Sequence, residues 1–155
     1  MAASLESFDT LVERAKRPGD LAALTALLKF MRLNRVRESR IVLEFGERAL
    51  RKFGRSLGDE KWPIYEQVFI ASLDTGDIEL ARSCLEKLND QFKESSRVER
   101  LKGLFLEAQQ QYGDAERIYD SLLEKNPANA LAMKRRVSIF KGKGDYKGAI
   151  KEINR

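Results

Sequence analysis

The sequence predicts an all-α protein built from antiparallel helix pairs, and two observations carry this prediction. Apolar residues recur at helical spacing, as in the segment "YGDAERIYDSLLEKNP", where offsets 0, 3, 4, 7 and 8 give one core-facing stripe: Ala115, Ile118, Tyr119, Leu122 and Leu123. Alanine also recurs every 34 residues at one helix position, in Ala81, Ala115 and Ala149. A period of this length indicates a right-handed solenoid of stacked helix pairs.

The 34-residue period divides the chain into three repeats, which span residues 62–95, 96–129 and 130–155. Two helices per 34 residues are typical of tetratricopeptide repeats. Helical patterns before them, at 4–17, 21–36 and 38–53, predict that residues 1–61 cap the N-terminal side of the solenoid. The third repeat stops after 26 residues, without the polar helix that normally closes a solenoid. We therefore expect a truncated third repeat.

Each repeat carries residues whose size or backbone suits them to packing. Gly103 and Ala115 are small, so the two helices of the second repeat can approach closely, and Tyr119 is expected to fill the space between neighbouring repeats. Pro127 cannot continue a helix and moves Asn126 out of the α region. The full set of expected packing residues is Ala81, Leu85, Gly103, Ala115, Tyr119, Pro127 and Ala149.

The dipeptide Gly-Asp occurs before a helix at residues 76–77, 113–114 and 144–145. We interpret it as the turn between the two helices of a repeat. Glycine would adopt positive φ there, and aspartate would cap or charge the next helix N-terminus. Cys84 lies on a core stripe and is expected to be a small buried residue rather than a reactive thiol.

The composition argues against catalysis. The 155 residues contain no histidine, which is the commonest general base and nitrogen ligand for metals, so we expect no catalytic, cofactor or metal site. A single cysteine forms no internal disulfide. No apolar run approaches the ~20 residues of a membrane span, and the N-terminus lacks a secretory signal pattern, which favours a cytosolic protein. "GKGDYKG" matches no phosphate-binding loop.

Charge is segmental, which points to a protein partner. Residues 130–155 hold eight Lys or Arg against two Asp or Glu, whereas residues 62–129 hold eight against 13. In this register the concave groove is lined by first-helix positions, including Arg97, Arg100, Leu104, Lys134, Ser138 and Lys141. Glu107 and Leu131 fall at corresponding positions. A basic groove suits an acidic peptide, and sparse aromatic residues make nucleic acid a weaker alternative.

The segments "SLGDEKWPIYEQVFIASLDTGD" and "RVERLKGLFLEAQQQYGDAERIYDSLLEKNPANALAMKRRVSIFKGKG" resemble the family of subunit 2 of the endoplasmic reticulum membrane protein complex. The similarity covers residues 37–155 and is clearest over 57–136. The resemblance implies a scaffold subunit without catalytic residues, peripheral on the cytoplasmic face of the endoplasmic reticulum. Its partners would be the other membrane and cytosolic subunits, in a complex that inserts tail anchors and multipass helices.

Three functional hypotheses therefore stay open at this point. The resemblance favours the scaffold subunit. The basic groove favours a free adaptor for acidic peptides. An enzyme or an RNA-binding protein is disfavoured by the missing histidine and by the sparse aromatic residues near the basic segment.

Overall fold

The fold is all-α over the part of the chain that the structure describes. In this computed structural model that part is the backbone of residues 2–142 and the side chains of residues 8–141. A short 3-10 helix, Gly58–Glu60, precedes α4. The α-helices are α1 (Ala2–Ala15), α2 (Leu21–Leu33), α3 (Ser39–Phe53), α4 (Lys61–Thr75), α5 (Ile78–Gln91), α6 (Ser96–Ala108), α7 (Tyr112–Lys125) and α8 (Ala130–Gly142). The predicted all-α class is confirmed.

The helices group into two compact units, residues 1–88 and residues 89–155. In the first unit, α1 packs on α2, α2 on α3 and α3 on α4. Its apolar core includes fully buried side chains of three helices, α2, α3 and α4: Leu24, Leu27, Leu28, Met31, Phe45, Ile64, Val68 and Phe69. A Cβ added to Gly46 would lie 2.6 Å from Cγ2 of Val68, so a residue without a side chain lets α3 and α4 approach closely.

Polar contacts join α2 to α4 across this core. The Gln67 side chain donates to the Leu28 carbonyl at 2.9 Å and accepts from the Arg32 guanidinium at 2.9 Å. Arg32 also pairs with Glu60 at 3.3 Å. At the other end of α4, Arg37 forms two hydrogen bonds to Asp74, and this guanidinium is the largest cause that lowers the pKa of Asp74. These bonds satisfy polar groups that the helix packing partly covers.

In the second unit, α6 packs on α7 and α7 packs on α8. The buried cluster consists of Ala115, Tyr119 and Leu122 from α7 with Ala132 and Ile139 from α8. Ile118 and Leu123 are partly buried against this cluster. The apolar stripe predicted from the sequence is therefore the face of α7 that packs into the core.

The turn within each described repeat uses a left-handed residue at the same position in the 34-residue period. Gly76 ends α4 with φ of 81° and Gln110 follows α6 with φ of 62°. In both turns the next amide donates to the carbonyl five residues earlier, from Asp77 to Ser72 and from Gln111 to Leu106, which is the Schellman arrangement. Asp77 also accepts from the Leu80 amide at 3.1 Å, as expected for a capping aspartate.

The prediction for the second Gly-Asp dipeptide was wrong. Gly113 lies inside the first turn of α7, and Gln110 takes the left-handed conformation three residues earlier. The hydrogen bonds at the end of α6 fix the position of the turn, and the residue at that position takes the left-handed conformation even though it is not glycine. Gly144, Ala149 and the second helix of the third repeat lie outside the described residues.

Replacing Gln110 with glycine is expected to raise the free energy of unfolding by about 0.5–1 kcal/mol, because a residue with a Cβ is strained at positive φ. The measurement is urea denaturation followed by circular dichroism. Gly76→Ala is the matched control and should lower stability by about 1 kcal/mol at the equivalent turn. A destabilised Gln110→Gly variant would contradict the argument.

Candidate protein-binding groove

The residues predicted to line the groove lie on α6 and α8. On α6 the spacings are three and four residues, from Arg97 to Arg100 to Leu104. On α8 they are four and three residues, from Lys134 to Ser138 to Lys141, so each set lies on one helix face. Arg97, Lys134, Ser138 and Lys141 are exposed, whereas Arg100 and Leu104 are partly buried. Arg97 and Arg100 also interact with other groups of the protein.

Glu107 joins α6, α7 and α8 through a network of three side chains. The Arg135 guanidinium of α8 donates to both Glu107 carboxylate oxygens, at 2.7 and 3.0 Å. The Tyr119 hydroxyl of α7 donates to the same carboxylate at 2.5 Å. The Glu107 side chain is only 10% exposed. This bidentate charge-assisted pairing therefore brings the first helices of two successive repeats together at the end of the groove face.

The network also fixes protonation states. Burial raises the pKa of Tyr119 strongly, and its hydrogen bond to Glu107 raises it further. The hydrogen bond to Glu107 likewise raises the pKa of Arg135. Glu107 stands at a groove position in the sequence, but its charge is neutralised inside the protein. The exposed charged side chains of this face are therefore basic. Leu131 is 53% exposed and adds apolar surface beside them.

The residues predicted to pack the repeats take the following places. Ala81, Ala115 and Tyr119 have no exposed surface, and Leu85 is partly buried. A Cβ on Gly103 would lie 2.5 Å from Cζ of Tyr119, so the tyrosine ring rests directly on the α6 backbone. Pro127 is exposed, and the residue before it ends α7 in an extended conformation.

Cys84 is buried in α5 with 2% exposure, as predicted. Burial raises the pKa of this thiol to about 12, and the carboxylates of Glu47 and Asp77 act in the same direction. The folded state therefore holds the proton more tightly than the unfolded chain does. Its stabilising contribution is complete below the ordinary thiol pKa of 9.0 and is lost as the pH rises towards about 12.

Replacing Cys84 with alanine is expected to reduce the loss of stability between pH 9 and pH 12, because the ionising thiol is removed. Urea denaturation of both proteins at pH 7, 9 and 10.5 measures this. The variant will be less stable at pH 7, since it leaves a small cavity, so the comparison is between slopes with pH. Equal slopes would contradict the prediction.

Sequence reasoning missed two features of the structure. It placed Glu107 at a groove position and did not predict the pairing with Arg135, which is 28 residues away in the chain. It also overlooked Gly46, which lies outside the 34-residue repeats and carries no signal except its small size. Within the described residues no group of three or more acidic or cysteine side chains could hold a metal ion, and no helix is long and apolar enough to cross a membrane.

These helix pairs define a protein of the tetratricopeptide-repeat class. A tetratricopeptide repeat protein from Parabacteroides merdae has the same fold with a TM-score of 0.55 at 14% identity, covering 96% of this chain and 78% of the other. Residues 88–155 match the family described as the EMC2 TPR-like repeat domain.

Curated relatives extend this similarity beyond the matched domain. The chain is 45% identical to ER membrane protein complex subunit 2-A of Xenopus laevis over 127 residues, which cover 82% of this chain and 43% of that protein. It is 38% identical to ER membrane protein complex subunit 2 of Dictyostelium discoideum over 129 residues, 82% of this chain and 40% of the relative. The predicted resemblance is confirmed. The chain spans less than half the length of these relatives.

Proposed function

We propose that this protein is a non-catalytic scaffold subunit of the endoplasmic reticulum membrane protein complex. The observation that carries the proposal is the 45% identity over 127 residues to a relative named as subunit 2 of that complex. Stacked helix pairs present a large surface and suit protein–protein contacts. The protein would lie on the cytoplasmic face of the membrane and would support insertion of tail-anchored and multipass segments through its partner subunits.

Affinity purification in a mild detergent tests the scaffold role. The tagged chain is expressed in a cell line next to the tagged Xenopus laevis relative, and recovered proteins are identified by mass spectrometry. We expect both to recover the same multi-spanning proteins of the endoplasmic reticulum, and the chain to be released from membranes by alkaline carbonate. Recovery of that set by the relative alone would overturn the proposal for this chain.

A second candidate function is a free adaptor that binds acidic peptides in the groove of α6 and α8. Exposed Lys134 and Lys141 beside the 53% exposed Leu131 favour it, because basic and apolar groups together suit an acidic peptide with an apolar side chain. The test is peptide affinity of the variant Lys134→Glu with Lys141→Glu. Its matched control is Arg117→Glu with Lys125→Glu on α7, whose side chains are also exposed. An affinity unchanged in the groove variant excludes this use.

A further inference from the structure

We propose that a basic cleft where α3 ends and α4 begins binds an acidic peptide segment of a partner protein. The cleft has a volume of about 580 Å³ and lies within the first compact unit. Four of its lining side chains are cationic and no lining residue is acidic. We call it the α3–α4 cleft; the residues used below are Leu50, Arg51, Lys52, Arg55, Lys61 and Tyr65.

Within residues 8–141 the cations of the α3–α4 cleft lack acidic partners, unlike the charged residues around them. Arg48, one turn before Lys52, pairs with Glu44, and the nearby Glu60 is held by Arg32 at 3.3 Å. By contrast, Arg51, Lys52 and Arg55 take part in no ion pair within residues 8–141. Several uncompensated charges around one recess raise the local positive potential and attract anions.

Helix-end electrostatics explains only part of this cluster. Arg51 and Lys52 lie in the last turn of α3, where a cation is favourable beside the free carbonyl groups. Lys61, the first residue of α4, directly follows Asp59 and Glu60 of the 3-10 helix, and its ammonium lies 4.8 Å from the ring centroid of Trp62. Lys61 therefore has favourable neighbours without a ligand. The cations that favour a bound anion are Arg51, Lys52 and Arg55, and Arg55 lies outside both helices.

The size and lining of the cleft favour a peptide. The recess has a volume of about 580 Å³ and is open to solvent, so an extended segment can lie across it. Leu50 and Tyr65 add apolar and aromatic surface to the same recess, and Tyr65 is stacked on Trp62 with ring centroids 5.7 Å apart. A concave site fits an inserted side chain better than the surface of a bilayer.

The occupant inferred from this chemistry is a segment rich in Asp or Glu that carries one apolar side chain. The carboxylates would contact Arg51, Arg55 and Lys61, and the apolar side chain would lie against Leu50 or Tyr65. This inference does not depend on the proposed scaffold role, and the α3–α4 cleft shares no residue with the groove of α6 and α8.

The test is fluorescence anisotropy with a fluorescein-labelled octapeptide of Asp and Glu that contains one leucine. All proteins carry Lys134→Glu and Lys141→Glu, so the groove does not contribute. We expect Arg51→Glu with Arg55→Glu to weaken binding about tenfold or more, since two attractive pairs become repulsive. The control, Lys29→Glu with Arg40→Glu, makes the same change of net charge at exposed sites of the same unit and should alter affinity less than about twofold.

Three outcomes would overturn the proposal. Equal weakening by the cleft and control variants would show general attraction to a basic protein. Unchanged affinity in the cleft variant would place the peptide elsewhere. A further measurement uses vesicles that contain anionic phosphatidylserine, with inorganic phosphate as a competitor. If the cleft variant loses binding to vesicles or to phosphate but still binds the peptide, the cleft recognises phosphate groups and not the peptide. Circular dichroism of every variant checks that the helices are retained.

Discussion

Replacing Gly103 with alanine is expected to lower the free energy of unfolding by about 2–3 kcal/mol. A Cβ at this position would lie 2.5 Å from Cζ and 2.6 Å from the hydroxyl oxygen of Tyr119, much closer than two such atoms can approach. The ring cannot move aside easily, because it has no exposed surface and its hydroxyl is bonded to Glu107. The overlap therefore has to be relieved by shifting α6 against α7.

The control for this experiment is Gly113→Ala, which makes the same chemical change on the neighbouring helix. A Cβ on Gly113 would meet nothing within 4 Å, so the change should be neutral or stabilise by up to about 1 kcal/mol through helix propensity. Urea denaturation of both variants measures the contrast. The steric argument fails if Gly103→Ala is as stable as Gly113→Ala.

A compensating change sharpens the test. Leu85 stands one period before Tyr119 in the first repeat, so leucine is compatible with this helix position. Tyr119→Leu removes the ring that the new Cβ would strike, although it leaves Glu107 without one hydrogen-bond donor. We expect the double variant to lose less stability than the sum of the two single changes, which is the sign of direct contact between the sites.

Replacing Glu107 with alanine is expected to lower the free energy of unfolding by about 3 kcal/mol, because it removes the shared acceptor of Arg135 and Tyr119. The fully buried tyrosine would lose the acceptor of its hydroxyl proton, and the partly buried Arg135 would lose its counter-charge. Urea denaturation at neutral pH is the measurement. A loss below about 1 kcal/mol would place this pair among ordinary surface ion pairs.

The matched control for Glu107 is Glu99→Ala on the same helix. Glu99 pairs with Lys102 at 2.6 Å, but both side chains are about one-third exposed and belong to one helix turn. Its removal should cost less than about 1 kcal/mol. A double change of Glu107 and Arg135 to alanine should cost less than the sum of the singles, because the guanidinium would no longer be left without a carboxylate.

The 34-residue period was enough to locate the buried positions of the described repeats. Ala81 and Ala115 occupy equivalent sites with no exposed surface, because close helix packing imposes the same size limit in each repeat. The helices before the repeats also lie within a few residues of the predicted ranges, since their apolar stripes and the Pro18-Gly19 break mark them independently of any period.

Features that depend on contacts distant in sequence could not be read from the residues. The left-handed turn at Gln110 has no glycine to mark it, and its φ follows from hydrogen bonds that exist only once α6 has formed. The pairing of Glu107 with Arg135 needs two successive repeats to be adjacent. The α3–α4 cleft likewise arises only when the end of one helix meets the start of the next.

The position of Trp62 gives the protein an internal optical signal for its basic cleft. It is the only tryptophan of the sequence, it stacks on Tyr65, and the Lys61 ammonium lies 4.8 Å from its ring centroid. Lys61 and Tyr65 both line the cleft. A carboxylate that draws the ammonium away from the indole would change the field at the ring. Ligand binding there should therefore alter the intrinsic emission of the unlabelled protein, whereas binding between α6 and α8 should leave it unchanged.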